Sequence, residues 1–95
     1  MMERLSASQI TKELEYIKGW KSNENSIQKD YKLITFADAL AFIVKIGLEA
    51  EKMDHHPDLL LHGWNNVQVK LSTHSAGGVT ENDFNLAQKI EKIHL

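Results

Sequence analysis

Apolar residues recur along this chain with two periods, one helical and one of alternating residues. Ile10, Leu14 and Ile17 repeat at helical spacing behind Ser6, which reads as an N-cap, with Gln9 closing a capping box and Leu5 able to staple against Ile10. Gly19 stands where a left-handed residue ends such a helix. Trp20 then opens a short strand that stops at the polar turn Asn23-Glu24-Asn25-Ser26. Beyond the turn Ile27, Lys29, Tyr31 and Leu33 share one face of a second strand, so a hairpin is expected. Trp20 and Tyr31 read as core or cross-strand aromatics.

From Thr35, a plausible N-cap, the run Phe36 to Lys52 places Asp38, Lys45, Glu49 and Lys52 on one stripe and Phe36, Leu40, Ile43, Gly47 and Ala50 opposite. This is the central helix. Phe42 and Leu48 are expected to flank the polar stripe, which makes the apolar arc wider than one sheet contact requires and suggests a second packing partner. Pro57 cannot continue the helix and pushes His56 out of helical geometry, so His55 and His56 fall at or just past its end.

Leu59-Leu60-Leu61 reads as a short strand and His62-Gly63 as a bend. Val67, Val69, Leu71 and Thr73 alternate with Gln68, Lys70 and Ser72 as a longer strand, leaving His74 just beyond its end in the loop Ser75-Ala76-Gly77-Gly78. Thr80 then caps a third helix running towards Ile93, with Asp83 at N3 and Val79 stapled to Phe84. The order α-β-β-α-β-β-α implies an α+β domain of two layers, a four-stranded antiparallel sheet with three helices on one face. Trp64 reads as a core residue or a pocket wall, with the core expected.

The chain is 95 residues long, enough for a single domain over 1–95 and near the size at which small domains lean on a partner for stability. Charge is spread thinly: 11 basic residues stand singly among 13 acidic ones, with no stripe to neutralise a phosphate backbone, so direct nucleic-acid binding is not expected. The start Met1-Met2-Glu3-Arg4-Leu5-Ser6 has no apolar run behind its charges, and no stretch is long enough for a bilayer span; cytoplasm is the expected location and no membrane role is expected. Without cysteine, disulfides and thiolate metal sites are excluded.

The candidate chemistry lies in two segments, Glu51-Lys52-Met53-Asp54-His55-His56-Pro57 and Ser72-Thr73-His74-Ser75-Ala76-Gly77-Gly78. Imidazole has an ordinary pKa of about 6.5 and exchanges protons near neutrality with little tuning, so three such groups suit acid–base catalysis. The plainer alternative makes His55 and His56 a polar helix terminus favourable to the dipole, and His74 a loop residue bonded to backbone. Zinc ranks last, because adjacent histidines point apart and no third ligand sits at the usual spacing. No Gly-x-Ser-x-Gly elbow is present, and Gly77-Gly78 alone does not make a phosphate loop.

Glu51-Lys52-x-Asp54-His55-His56-Pro57, Trp64-x-x-Val67, Ser72-Thr73-His74-x-x-Gly77 and Thr80-x-x-Asp83 together closely resemble the pterin-4a-carbinolamine dehydratase family, most sharply from Phe36 to Ala87. The resemblance implies dehydration of a 4a-hydroxytetrahydropterin to the quinonoid dihydropterin, the step that recycles the pterin after an aromatic amino-acid hydroxylase turns over. It implies His55, His56 and His74 as catalytic residues, and Glu51, Asp54, Pro57, Thr73, Ser75 and Asp83 in contact with substrate. Asp83 has a sufficient explanation as a helix cap as well. Neither metal nor redox cofactor is implied, and a homo-oligomer is, with a tetramer favoured. Animal relatives also act as dimerisation cofactors for a transcription factor, so a binding module using the central helix is the alternative, together with a fold relative of changed substrate. Where animal-type members carry an aromatic residue soon after His-His-Pro, this chain has Asp58-Leu59-Leu60, which implies a different pocket wall.

Overall fold

The computed structural model describes residues 3–95; Met1 and Met2, part of the stretch expected to lack an export signal, lie outside the described residues. In chain order the elements are α1 (Ala7–Leu14), β1 (Lys21–Asn23), β2 (Ser26–Lys32), α2 (Phe36–Met53), β3 (Asp58–His62), β4 (Asn66–Leu71), a single 3₁₀ turn (His74–Ala76) and α3 (Glu81–Glu91). The four strands form one antiparallel sheet in the order β1-β2-β4-β3. The α+β order expected from the sequence holds.

The register explains the core. Ile27, Lys29 and Tyr31 stand opposite Leu71, Val69 and Val67, and of these Val69 and Val67 face Leu59 and Leu61 across the other side of β4. Because strand side chains alternate, this set shares one face, and Ile27, Val67, Val69 and Leu71 are fully buried there beneath Phe42, Ile46, Phe84 and Ile90 of the helices. The alternating partners Asp30, Lys32, Lys70, Asp58 and His62 are exposed on the other face. No helix is long and apolar enough to cross a membrane among the described residues.

Local starts follow the caps. Ser6 and Gln9 form the expected capping box, Thr35 accepts from Asp38 N, and Thr80 accepts from Asn82 N while the Asp83 carboxylate reaches back to Thr80 N. Ends were harder to read. The helix α1 stops at Leu14, well before Gly19, whose left-handed φ of 85° belongs to the following turn. The turn between β1 and β2 is confined to Glu24 and Asn25, since Asn23 and Ser26 already pair.

The face of α2 differs from the one expected. Phe42 is buried with Ala39, Ile46 and Ala50, and its ring meets Tyr31 edge-on at 4.8 Å. Phe36, Leu40 and Val44 are instead 44–61% exposed and, with Leu48, which is exposed as expected, form a second apolar stripe. The helix is apolar on more than half of its circumference, so its polar stripe does not fix which apolar side meets the sheet; the Tyr31 ring does. Trp64 is the other correction. Pairing of His62 with Asn66 leaves Gly63, Trp64 and Asn65 as the hairpin loop, where Trp64 takes φ 60° and is 61% exposed. Asn65 is the buried loop residue, exchanging hydrogen bonds with Leu33 in both directions.

At the far end of α3 the Glu91 carboxylate gathers Trp20 Nε1 at 3.2 Å, Lys29 Nζ at 2.7 Å and the Tyr31 hydroxyl. Burial pushes this carboxyl up, but the hydrogen bonds from Lys29 and Tyr31, the Lys29 charge and the Trp20 bond outweigh it and hold it below the usual carboxylate range. The Tyr31 phenol is pushed well above its ordinary range by burial and then by Glu91. A depressed carboxylate stabilises the fold above its unfolded pKa and loses that contribution as pH falls through the folded value. Urea midpoints measured against pH are therefore expected to fall below about 4.5, the ordinary glutamate value, and Glu91→Gln should flatten that acid limb while lowering the midpoint at neutral pH. An identical acid limb in the variant would remove Glu91 from the account.

Candidate active site

The two histidine segments are brought to one end of the sheet by separate devices. Asp54 takes the left-handed conformation (φ 50°, ψ 44°) after Met53, its N–H bonding Glu51 O while His55 N–H bonds Ala50 O. This is a Schellman ending with aspartate in the place usually held by glycine, and it turns the chain so that His55 points inward and His56 outward. On the other side β4 ends at Leu71, and Thr73 pairs with Gly78. That bridge closes a short loop in which Gly77, at φ 69°, ends the turn carrying His74.

A cleft of about 340 Å³ lies between the segments, lined by Asp54, His55, His56, Thr73, His74 and Ser75, with Ser72 beside them. Its size falls at the lower end of small-molecule pockets, roughly 300 Å³ upwards. A larger groove of about 470 Å³ lies elsewhere, between α2 and α3, and is lined mainly by Lys45, Lys52, Lys89 and Lys92 with Leu48 and Ile93. The smaller cleft is the better candidate, because three imidazoles converge on it while the larger groove, which also has Glu49 and His94 in its lining, gathers four lysines around a single imidazole.

The histidines occupy three different environments. His55 is only 8% exposed, and its Nε2 lies 2.6 Å from Asp83 Oδ1. Asp83 has no exposed surface, and its Oδ2 accepts from Thr80 N and from Thr73 Oγ1, each at 2.9 Å. Thr73 gives its one hydroxyl proton to Asp83, so it is the Thr80 hydroxyl, itself accepting from Asn82 N, that donates to Thr73 Oγ1, at 2.7 Å. Every neighbour of Asp83 thus donates, which suits an ionised, acceptor-only carboxylate and puts the His55 proton on Nε2. His55 Nδ1 has no hydrogen-bond partner among the described residues. His56 is exposed and meets Glu51 Oε1 at 3.0 Å across the helix end, and His74 is exposed with no side-chain hydrogen bond among the described residues.

Of the other residues singled out from the sequence, Asp54, Thr73 and Ser75 line the cleft. Glu51 reaches it through His56, Asp83 lies beneath it behind His55, and Pro57 is outside the lining. Asp83 caps α3 and bonds His55 at once, but it has no exposed surface and lies outside the cleft lining, so of the two explanations open at the sequence level its geometry carries the cap and offers no direct contact with substrate. Ser72 and Thr80 were missed as parts of the site. Ser72 carried the signal of a polar strand position beside Thr73, whereas Thr80 read only as a cap. Among the described residues no group of three or more histidine, aspartate or glutamate side chains is placed to hold a metal ion.

Residues 3–93 match the family model described as pterin 4 alpha carbinolamine dehydratase. The chain belongs to that family. A protein of Sulfolobus acidocaldarius, whose name assigns it provisionally to pterin-4-alpha-carbinolamine dehydratase, is 46% identical over 95% of this chain and 98% of its own length. A Roseiflexus protein of the same name is 41% identical over 98% of this chain and 99% of its own. Among solved structures, a transcriptional coactivator/pterin dehydratase from Brucella melitensis superposes with a TM-score of 0.89 at 36% identity, covering 94% of this chain and 96% of that one. A pterin dehydratase-like protein described as a RuBisCO assembly factor of the alpha-carboxysome shares the fold, at TM-score 0.61 and 16% identity over 76% of this chain and 82% of its own. Within the dehydratase family fold, the cleft described above is built by the segments that carry the sequence resemblance.

Proposed function

We propose that this protein dehydrates a 4a-hydroxytetrahydropterin to the quinonoid dihydropterin, with His55 as general base and His74 as general acid. The observation that carries the reading is the buried His55–Asp83 pair opening onto a cleft that also holds His74. The substrate must lose hydroxide from C4a and a proton from the adjacent ring nitrogen. With Nε2–H donated to Asp83, the neutral His55 ring offers the lone pair of Nδ1 as acceptor for that proton. His74, solvated and unpaired, can carry a proton to the departing hydroxyl, which leaves as water. His56, held by Glu51, orients the substrate from the open side of the cleft. The reaction is redox-neutral, and its proton balance closes between the two histidines and solvent. In the cell it would serve pterin recycling behind an aromatic amino-acid hydroxylase in the cytoplasm. The test is turnover: catalytic amounts of the purified protein must accelerate loss of freshly generated 4a-hydroxytetrahydropterin.

The exposed stripe on α2 supports a homo-oligomer, with a tetramer the favoured size. Phe36, Leu40, Val44 and Leu48 are spaced at i, i+4, i+8 and i+12, one continuous ridge of the helix surface. Such a ridge is self-complementary when two copies pack antiparallel, Phe36 of one copy lying against Leu48 of the other. Leu40→Asp with Val44→Asp should lower the mass measured by light scattering, since charges in a dry contact leave uncompensated buried groups. Phe42→Asp would instead disrupt the core. A wild-type monomer at micromolar concentration would contradict the assembly. The Brucella relative, a transcriptional coactivator as well as a pterin dehydratase by name, favours a second use of the same stripe, as a docking face for another protein.

A further inference from the structure

A second, smaller depression of about 230 Å³ adjoins the catalytic cleft and shares Ser72, Thr73 and His74 with it; its remaining lining is Asn25, Gly77 and Gly78. Its lining is polar: Asn25, Ser72, His74 and glycine backbone, beside Thr73, whose hydroxyl is taken up by Asp83 and Thr80. Arg4 borders it. The backbone beside Arg4 is fixed by Leu5 N–H to Val79 O at 2.8 Å, and the Arg4 side chain runs across Gly78 to give an Nη2 hydrogen bond to Asn25 Oδ1 at 3.2 Å. Gly78 is small where this crossing demands it, because a Cβ there would lie 2.8 Å from Arg4 Nε and 3.0 Å from Cδ. Two of the depression's lining residues are thus in contact with one guanidinium.

That guanidinium carries a full charge and several donors, of which Asn25 takes one. Glu3 and Glu24 flank Arg4 and Asn25 in the sequence, yet among the described residues no carboxylate forms an ion pair with Arg4 within 4 Å. An arginine in contact with two lining residues of a polar depression, and hydrogen-bonded among the described residues to a neutral amide alone, is suited to an anion that reaches past those residues. The depression also meets the catalytic cleft at His74, so one bound molecule can occupy both.

We infer that this depression is a substituent subsite, in which Arg4 and Asn25 take an anionic group, a phosphate ester or carboxylate, carried on the pterin whose ring occupies the histidine cleft. The inference rests on the dehydratase reading and adds a substrate class to it. Arg4 acts as a specificity residue, selecting the charged substituent without taking part in proton transfer.

Calorimetric titration with 6-hydroxymethyl-7,8-dihydropterin and its phosphate monoester separates the possibilities. The phosphate should bind the wild-type protein about tenfold more tightly, the gain expected of one charge-assisted contact at a solvated site, and the preference should shrink as salt is raised. Arg4→Gln should bring the ratio close to one, and Arg4→Lys should restore part of it. Arg4 is exposed and caps no helix, so circular dichroism of the Gln variant should match the wild type. Equal affinity for the two probes in the wild type overturns the subsite. A preference that survives Arg4→Gln overturns it as well and moves the anion to the lysine groove between α2 and α3. If neither probe binds, the pterin reading itself fails and the subsite with it, an outcome distinct from equal binding.

Discussion

His74→Ala will lower kcat for dehydration by on the order of a hundredfold or more, the usual contribution of a positioned acid, with no measurable change in thermal stability. The two halves of that expectation come from the same geometry. His74 stands exposed on a one-turn 3₁₀ segment whose position is set by backbone, through the Thr73–Gly78 bridge and the left-handed Gly77, and not by its own side chain. Removing the imidazole therefore takes away a proton carrier and leaves the loop intact; exposed substitutions of this kind usually shift stability by no more than about 0.5 kcal/mol. Near-native turnover in His74→Ala would remove it from the chemistry.

Asp83→Asn should produce the opposite profile, a loss of both stability and rate from a side chain that touches no substrate. The carboxylate is wholly buried and accepts from His55 Nε2, Thr73 Oγ1 and Thr80 N. An amide in its place must turn its NH₂ towards one of those donors, leaving buried groups unpaired at a cost of about 3 kcal/mol in a denaturant melt. It also removes the charge that keeps the His55 proton on Nε2. The ring can then present N–H instead of a lone pair to the cleft, as in hydrolases whose orienting aspartate is replaced, and kcat should fall by on the order of a hundredfold. KM should change little, because Asp83 lies behind His55 and outside the cleft lining. A variant with unchanged kcat at a temperature where it is fully folded would reduce Asp83 to a helix cap. His55→Ala belongs with this variant: His55 stands just past the end of α2, as the sequence implies, but it is buried there, so its removal will cost stability as well as activity.

What could be read from the sequence was whatever a short range of residues decides. The caps at Ser6, Thr35 and Thr80 depend on side chains reaching backbone N–H groups two or three residues away, and all three are present. The alternation of Val67, Val69 and Leu71 fixed both a strand and its buried face. Misreadings arose where a distant contact decides between locally equal choices. Nothing near Phe42 in the sequence says that Tyr31 will take it into the core, so Phe42 is expected outside and Phe36 and Leu40 inside, the reverse of what the fold shows, while Leu48 and Ala50 lie where the sequence puts them. Trp64 looked like a core residue by its size, but the register of β3 against β4 puts it at the tip of the loop. In the site, the cluster of histidines was legible and their division of labour was not. That division depends on Asp54 ending the helix in a left-handed turn and on Asp83 arriving from a helix 28 residues further along the chain from His55. Asn25 reads only as a turn residue, because its proximity to His74 exists only in the fold.

The central claim is that this chain catalyses loss of water from a 4a-hydroxypterin through histidines. It is tested most directly by generating 4a-hydroxytetrahydropterin and following quinonoid dihydropterin formation with and without submicromolar protein, wild type beside a His55→Ala/His74→Ala double variant. The account predicts a rate that rises in proportion to wild-type protein, saturates with substrate, and returns to the uncatalysed rate with the double variant. A wild-type rate no different from the uncatalysed one, or a double variant that remains fully active, would contradict it.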